Sequence, residues 1–260
     1  MRIAIVGYGR MGHLIDTIAQ ERGHEVSSLI DPIFADSGEV APGADAPGRY
    51  PNVSIEALSG ADVAIEFSLA DAVTENVKSY ANAGVAAVIA TTGWQNDLET
   101  VTSLWKSVPH GLIHGANFSI GANLFLRAAE YAASLVAGIE EYDLLIHEIH
   151  HGRKADSPSG TSLMLADRVL DAAPRKRSIK AGQIDRPIGR EELHISSSRG
   201  GYFPGTHTLF LDSEADTIEI RHEARGRGGF ALGAVMAAEW IAKKEGGVYS
   251  VETFITDLIA

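Results

Sequence analysis

MRIAIVGYGRMG, residues 1–12, joins a short apolar run to a glycine turn. Ile3-Ala4-Ile5-Val6 is uninterrupted by polar residues and stops at Gly7. Such runs suit a strand buried on both faces of a parallel sheet. Gly7 to Gly12 fit G-x-G-x-x-G directly after that strand and at the start of a helix spanning 10–22, with Met11, Leu14, Ile15 and Ile18 on one side. The three glycines have separate tasks. Gly7 allows the tight turn, Gly9 lets the backbone approach a pyrophosphate, and Gly12 lets helix and strand pack closely. The helix start offers N–H groups and a positive dipole end to phosphates. Tyr8, Arg10 and Met11 fill the rest of this loop.

A second strand over 25–31 ends at Asp31, nineteen residues after Gly12. A carboxylate there can accept the ribose hydroxyls of an adenosine half and repel a 2′-phosphate. Pro32, Ile33 and Phe34 bring no cation, so NADH is favoured. Arg10 can reach a 2′-phosphate, which keeps NADPH open. Residues 32–52, rich in Pro, Gly, Ala and Asp, read as an irregular excursion.

Outward from there the alternation resumes. Strands are expected at 61–67, 86–91 and 112–116, with helices near 71–83 and 96–106. Strand–helix alternation implies parallel pairing with right-handed crossovers. Ligands bind at the carboxyl edge of such sheets. Three polar tips lie there: Phe67-Ser68, then Ala90-Thr91-Thr92-Gly93, then Ala116-Asn117-Phe118.

Beyond residue 121 the pattern changes. A helix over 122–137 leads into EYDLLIHEIHHG (residues 141–152), a strand, followed by a helix near 160–173. Strands at 192–198, 206–212 and 216–223 follow without helices between them, which predicts a mixed or antiparallel sheet. GGFALGAVMAAEWIAKK (residues 228–244) reads as a last helix. The fold class is α/β: a Rossmann-type parallel-sheet domain plus a second, α+β domain. Polar segments near 121 and 230 are the expected hinges.

The chain has 260 residues, 45% of them hydrophobic, enough for one large or two moderate domains. Its net charge of -12 argues against nucleic acid and anionic membranes as partners. Residues 122–230 hold 14 Lys/Arg against 16 Asp/Glu and six of the ten histidines, so an anionic small molecule is better placed there. Absence of cysteine excludes disulfides, thiolate zinc sites and thiol catalysis. The first apolar run is too short for a signal peptide, and no run of about 18 apolar residues offers a membrane span. A cytoplasmic location is expected.

HEIHHGRKADSPSGTS, residues 147–162, concentrates proton-active and cationic groups. Ser159, Gly160 and Thr161 can present hydroxyls and N–H groups to a carboxylate at a helix start. Lys154 can pair with a second carboxylate or donate a proton, and His150 can bind or relay one. A metal is not expected, since no carboxylate spacing completes a ligand set.

These residues carry a resemblance. VGYGRMG, ATTG, ANFSIGAN and above all EIHHGRKADSPSGTSLMLAD resemble, in order, the signatures of the 4-hydroxy-tetrahydrodipicolinate (dihydrodipicolinate) reductases of diaminopimelate and lysine biosynthesis. The resemblance implies a dinucleotide-binding domain over 1–121 completed by 231–260. It implies a substrate-binding domain over 122–230 whose sheet builds a homotetramer. It implies His150 and Lys154 as the catalytic pair, Lys154 as proton donor, with His151 and Ser159-Gly160-Thr161 holding a dicarboxylate. Gly7 to Gly12, Asp31, Ala90 to Gly93 and Ala116 to Phe118 would hold the cofactor. Asp31 departs from the pattern in being followed by Pro32, and SRGGYFPGTH (198–207) is a variant turn in which Arg199 can touch substrate. The rivals are a related amino- or imino-acid dehydrogenase, and an NAD-sensing regulator without turnover.

Overall fold

The structure is a computed structural model and describes residues 1–36, 40, 43 and 46–260. Two compact units emerge, Met1–Ile120 with Arg227–Ala260, and Gly121–Gly226.

The first unit is built on a seven-stranded sheet, β1 (Arg2–Val6), β2 (Glu25–Ile30), β3 (Gly48–Tyr50), β4 (Val63–Glu66), β5 (Ala86–Ile89), β6 (Gly111–His114) and β12 (Gly247–Ser250). Their order is β12-β6-β5-β4-β1-β2-β3, and every pairing is parallel. All but β12 follow the doubly wound order 3-2-1-4-5-6. The central strands are buried apart from Arg2 at the start of β1, as their apolar runs require. Helices α1 (Arg10–Glu21) and α6 (Gly228–Ile241) share one core with the sheet, together with α7 (Val251–Ile259). Helices α2 (Val73–Ala83) and α3 (Leu98–Trp105) share the other. Helix α6 is largely apolar and buries Ala231, Gly233, Ala234, Val235, Ala237, Ala238 and Ile241; a Cβ on Gly233 would stand 1.7 Å from the Phe118 carbonyl oxygen.

Four elements depart from the sequence expectation. Strand β3 interrupts the supposed excursion over 32–52, part of which lies outside the described residues. Strand β12 and helix α7 follow the supposed last helix. Strand β8 (Ser178–Ala181) extends the second sheet.

The second unit has a five-stranded sheet in the order β11-β10-β7-β9-β8, with β7 (Asp143–His150), β9 (Glu192–Arg199), β10 (Thr206–Asp212) and β11 (Thr217–Glu223). Strand β9 runs parallel to β7 and β8, whereas β10 is antiparallel to β7 and β11, so the sheet is mixed. Helices α4 (Ile120–Leu135) and α5 (Gly160–Ala172) pack on it through Phe125, Leu126, Ala129, Leu165, Ala166 and Val169.

Pairing register explains the chemistry of this sheet. Side chains alternate between faces. Leu144 and Ile146 on β7, Leu193 and Ile195 on β9, and Leu209 and Leu211 on β10 enter the helix-covered core. The same alternation carries Glu148 and His150, Ser197 and Arg199, and His207 along that face. One face is therefore apolar at one end and ionisable at the other.

Candidate functional site

In the first unit the strands end level with one another: Val6 pairs with Ile30 and Glu66, Glu66 with Ile89, and Ile89 with His114. The residues expected to hold a cofactor therefore gather along one carboxyl edge. Gly7 has φ +89, and a Cβ there would lie 2.4 Å from the Phe67 carbonyl oxygen. A Cβ on Gly12 would meet the Gly7 carbonyl oxygen at 2.4 Å, whereas one on Gly9 would meet nothing within 4 Å. Gly7 and Gly12 are thus required by the fold itself, while the space at Gly9 is left open. Gly9 is also the N-cap of α1 and offers no side-chain cap. Open space above a helix start without a side-chain cap fits a dinucleotide pyrophosphate.

Asp31 accepts the Tyr8 N–H at 2.7 Å and the Ile33 N–H at 3.0 Å, one on each oxygen. These bonds fix the carboxylate at the strand end and leave acceptor capacity on both oxygens. The Tyr8 ring stacks on His13, and its hydroxyl donates to Asp16; burial and then that carboxylate push it up to about 12. Arg10 is exposed and Met11 is packed against the core. Ser68 N–H donates to Thr91 Oγ1 at 2.9 Å, and the Trp94 indole donates to the Thr91 carbonyl at 2.8 Å, which locks two tips together. Thr92 and Gly93 are exposed, Ala90 and Phe118 are buried, and Ala116 is exposed. Asn117 Oδ1 caps Ser119 N–H at 2.9 Å.

Two further residues of this edge matter, Glu66, which precedes the Phe67-Ser68 tip, and Arg49, which the sequence reading did not single out. Glu66 is fully buried, receives Ser68 Oγ, Asn76 Nδ2 and Tyr80 Oη, and has its pKa raised by burial against those donors. Arg49, on β3 beside the end of β2, lies 5.9 Å from the Phe34 ring centre and acts electrostatically on Tyr8. Arg49 thus adds, from the neighbouring strand, a cation that the residues following Asp31 do not supply.

In the second unit Glu148 is the centre. Its side chain is fully buried. Ser159 N–H reaches both its oxygens at 3.1 Å, and Ser159 Oγ also donates to it. Ser162 Oγ follows at 2.6 Å, Ser197 Oγ at 2.8 Å and Arg199 Nη2 at 2.6 Å. Burial alone would raise this carboxyl, but the hydrogen bonds from Ser159, Ser162, Arg199 and Ser197 bring it down to about 2. Arg199 also holds the Asp156 carbonyl at 2.7 Å, pinning the loop after β7.

Ser159 is 2% exposed. Its hydroxyl gives its proton to Glu148, accepts from Ser162 N–H at 3.2 Å and meets His207 Nε2 at 3.1 Å. With that proton spent, His207 must donate through Nε2, leaving Nδ1 bare, and Nδ1 indeed has no partner. The Ser159 hydroxyl is thus engaged within the protein on every side. Gly160 is exposed and Thr161 half-buried at the same helix start.

His150 is 6% exposed, with Nδ1 3.7 Å from Glu148 Oε2 and its ring edge-on to His207 at 5.1 Å. Burial lowers its pKa, Glu148 and Asp156 oppose that, and Lys154 and Arg199 reinforce it. His207 falls to about 4, chiefly through burial, then through His150. Lys154 is paired with Asp156 at 2.8 Å. His151 is half-buried, its N–H on the Phe203 carbonyl at 2.9 Å. His150, His151, Lys154, Gly160 and Thr161 all lie on the β7–α5 connection or at its two ends.

Glu148, His150 and His207 also present potential metal-ligand atoms within 4.8 Å of one another. The expectation that no carboxylate completes such a set does not hold in space. Five protein groups already donate to that carboxylate, one of them the Arg199 cation. A metal ion would have to displace this charge, so the cluster reads as a hydrogen-bonded anion and not as a metal centre.

A doubly wound sheet with a glycine turn, joined in one chain to a mixed-sheet unit bearing a His/Lys loop, defines a two-domain nicotinamide-dependent oxidoreductase. Residues 1–118 match the family model for the dihydrodipicolinate reductase N-terminus, and residues 121–255 match that for its C-terminus. The chain belongs to the dihydrodipicolinate reductase family. It is 35% identical to the 4-hydroxy-tetrahydrodipicolinate reductase of Christiangramia forsetii over 99% of both chains. It is 37% identical to that of Archaeoglobus fulgidus, over 98% of this chain and 100% of the relative. The fold resembles that of the dipicolinate-bound dihydrodipicolinate reductase from Paenisporosarcina sp. TG-14, with a TM-score of 0.76, 23% identity, and coverage of 96% and 97% of the two chains.

Proposed function

We propose that the protein reduces the dehydrated form of 4-hydroxy-tetrahydrodipicolinate to tetrahydrodipicolinate, with NADH favoured and NADPH accepted. The observation that carries this reading is the β7–α5 connection, which bears His150, His151, Lys154 and the Gly160-Thr161 helix start on one short stretch while their anionic neighbour Glu148 is sealed off by its own donors. Gly160 and Thr161 N–H groups and the Lys154 ammonium suit the two carboxylates of a cyclic dicarboxylate, with His151 beside them. Ser159 shapes the turn from beneath.

A bound reduced nicotinamide supplies hydride to the ring. Lys154 delivers the proton that completes the reduction, and His150, its charge lowered by burial, orients the reacting group. In the first unit Gly9 and the α1 start take the pyrophosphate and Asp31 takes the ribose. Tyr8, Arg10 and Met11 line that turn, while the Phe67-Ser68, Ala90 to Gly93 and Ala116 to Phe118 tips accommodate the nicotinamide half. Asp31 disfavours a 2′-phosphate, while Arg10 and Arg49 supply charge that tolerates one.

Homotetramer assembly through the second sheet goes with this reading. Leu145, Ile149 and Phe210 alternate with the core positions, on the face opposite the helix-covered cluster. Among the described residues no helix is long and apolar enough to cross a membrane. A cytoplasmic site of action goes with this reading.

The test is substrate-dependent loss of NADH absorbance on freshly generated pathway substrate, for the wild type, Lys154→Ala and His150→Gln. Each variant should lose about 10²–10⁴ in kcat with NADH affinity intact. Full turnover by both variants refutes the site, and turnover on unrelated imino acids alone refutes the substrate.

A further inference from the structure

The reductase reading uses His150, Lys154 and the α5 start, and leaves the most heavily hydrogen-bonded group of the unit without a task. We propose that Glu148 is a positioning residue of this site, a buried anion that draws Ser159, Arg199 and Ser197 onto one point and so presents Gly160, Thr161 and His150 to the dicarboxylate. The inference rests on the proposed reaction.

Geometry supports it in three ways. Glu148 is the residue of β7 two before His150, on the same face, so its side chain lies against the loop that β7 feeds. Its partners come from three elements: Ser159 and Ser162 from the start of α5, Ser197 and Arg199 from β9, and, through Ser159, His207 from β10. It spends the Ser159 N–H and hydroxyl, so the next positions of the helix start, Gly160 and Thr161, are those left for a ligand.

Charge gives it a second effect. The charged and titratable groups around His150 are Glu148 on its own strand, Lys154 and Asp156 in the loop, Arg199 on β9 and His207 on β10. Glu148 stands 3.7 Å from His150 Nδ1, shielded from solvent. It offsets Lys154 and Arg199, which without it would face His150 against Asp156 alone. A site built to bind a dianion needs cations, and those cations work against any proton on the neighbouring imidazole. A buried carboxylate that the substrate never touches reconciles the two demands.

The experiment measures steady-state constants and the NMR titration of His150 in the full-length wild type, Glu148→Gln and Glu148→Asp. In Glu148→Gln, substrate KM should rise by about tenfold, the scale of one lost charge-assisted hydrogen bond, while NADH affinity stays unchanged and the His150 midpoint falls to lower pH. Glu148→Asp keeps the charge, so its midpoint should return toward the wild-type value even where KM stays raised. A merely structural role would move neither midpoint selectively. Wild-type KM and midpoint in Glu148→Gln overturn the inference, as do equal midpoints in the two variants. If Glu148→Gln does not fold, Ser162→Ala and Ser197→Ala remove single donors. Each should raise substrate KM without changing NADH affinity, and unchanged KM in both overturns the inference. No turnover by the wild type with either cofactor refutes the proposed reaction instead.

Discussion

His207 stands directly opposite Glu148 in the antiparallel pairing of β7 with β10, its Nε2 3.7 Å from the carboxylate, and is hydrogen-bonded to it through the hydroxyl of Ser159. A neutral imidazole, a saturated hydroxyl and an ionised carboxylate thus form one chain of donors and acceptors. Its protonation state follows from counting protons.

That arrangement predicts acid sensitivity. His207 titrates at about 4 in the folded protein and near 6.5 when unfolded. Its folded pKa is depressed, so between pH 6.5 and 4 the unfolded chain binds more protons and stability falls as pH falls. The full effect is on the order of 3 kcal/mol. Glu148, at about 2 in the fold, adds a further loss below about pH 4.5. His207→Gln should flatten the pH 6.5–4 slope in denaturant titrations. A slope identical to that of the wild type would contradict the assignment.

The glycine turn separates folding from binding. Gly9→Ala should leave stability within about 0.5 kcal/mol, since its Cβ enters open space, yet weaken NADH binding by about tenfold or more. Gly7→Ala should lose about 1–3 kcal/mol or more, because its φ of +89 and the Phe67 carbonyl both resist a side chain. Calorimetric melting and fluorescence titration of the two variants check this contrast.

Arg49 bears on cofactor choice. Arg49→Ala should lower kcat/KM with NADPH by about tenfold, the scale of one charge-assisted contact, and change NADH turnover little. Equal losses with both nucleotides would show that Arg49 acts on the strand edge and not on a 2′-phosphate.

Gly205 lies beneath His150. At φ +148 it occupies a backbone region closed to L side chains, and a Cβ would stand 3.0 Å from His150 Nε2. Gly205→Ala should lower kcat by about tenfold or more through displacement of the imidazole, with NADH affinity unchanged. A kcat equal to that of the wild type would remove Gly205 from the support of His150.

How much of this is legible in the chain depends on distance along it. The glycine turn, the strand ends and the β7–α5 connection are local, and their residues announce themselves by spacing. Glu148 was also within reach: Leu144, Ile146, Glu148 and His150 alternate, so a buried Leu144 and Ile146 imply a buried Glu148. The partnership of Glu148 with His207 and with Arg199, which the sequence marked only for substrate, was not, because strand pairing alone brings these distant residues together. Strand β3 has three residues in a Pro/Gly-rich context and takes its order from β2. Strand β8 is half-exposed and lacks a clean apolar alternation. Helix α7 did carry a signal, Ser250 as N-cap before Val251, Phe254 and Ile255.

Synthesis runs from the first residue to the last, and the first unit needs both ends of the chain. Strand β6 waits for β12, and the core beneath β1 and β4 waits for α6 and α7, across the whole of residues 121–226. During translation the second unit can therefore mature while its predecessor still has an open flank. Shortening the protein by its last fourteen residues would strand that flank permanently, exposing a raw sheet margin to neighbouring chains.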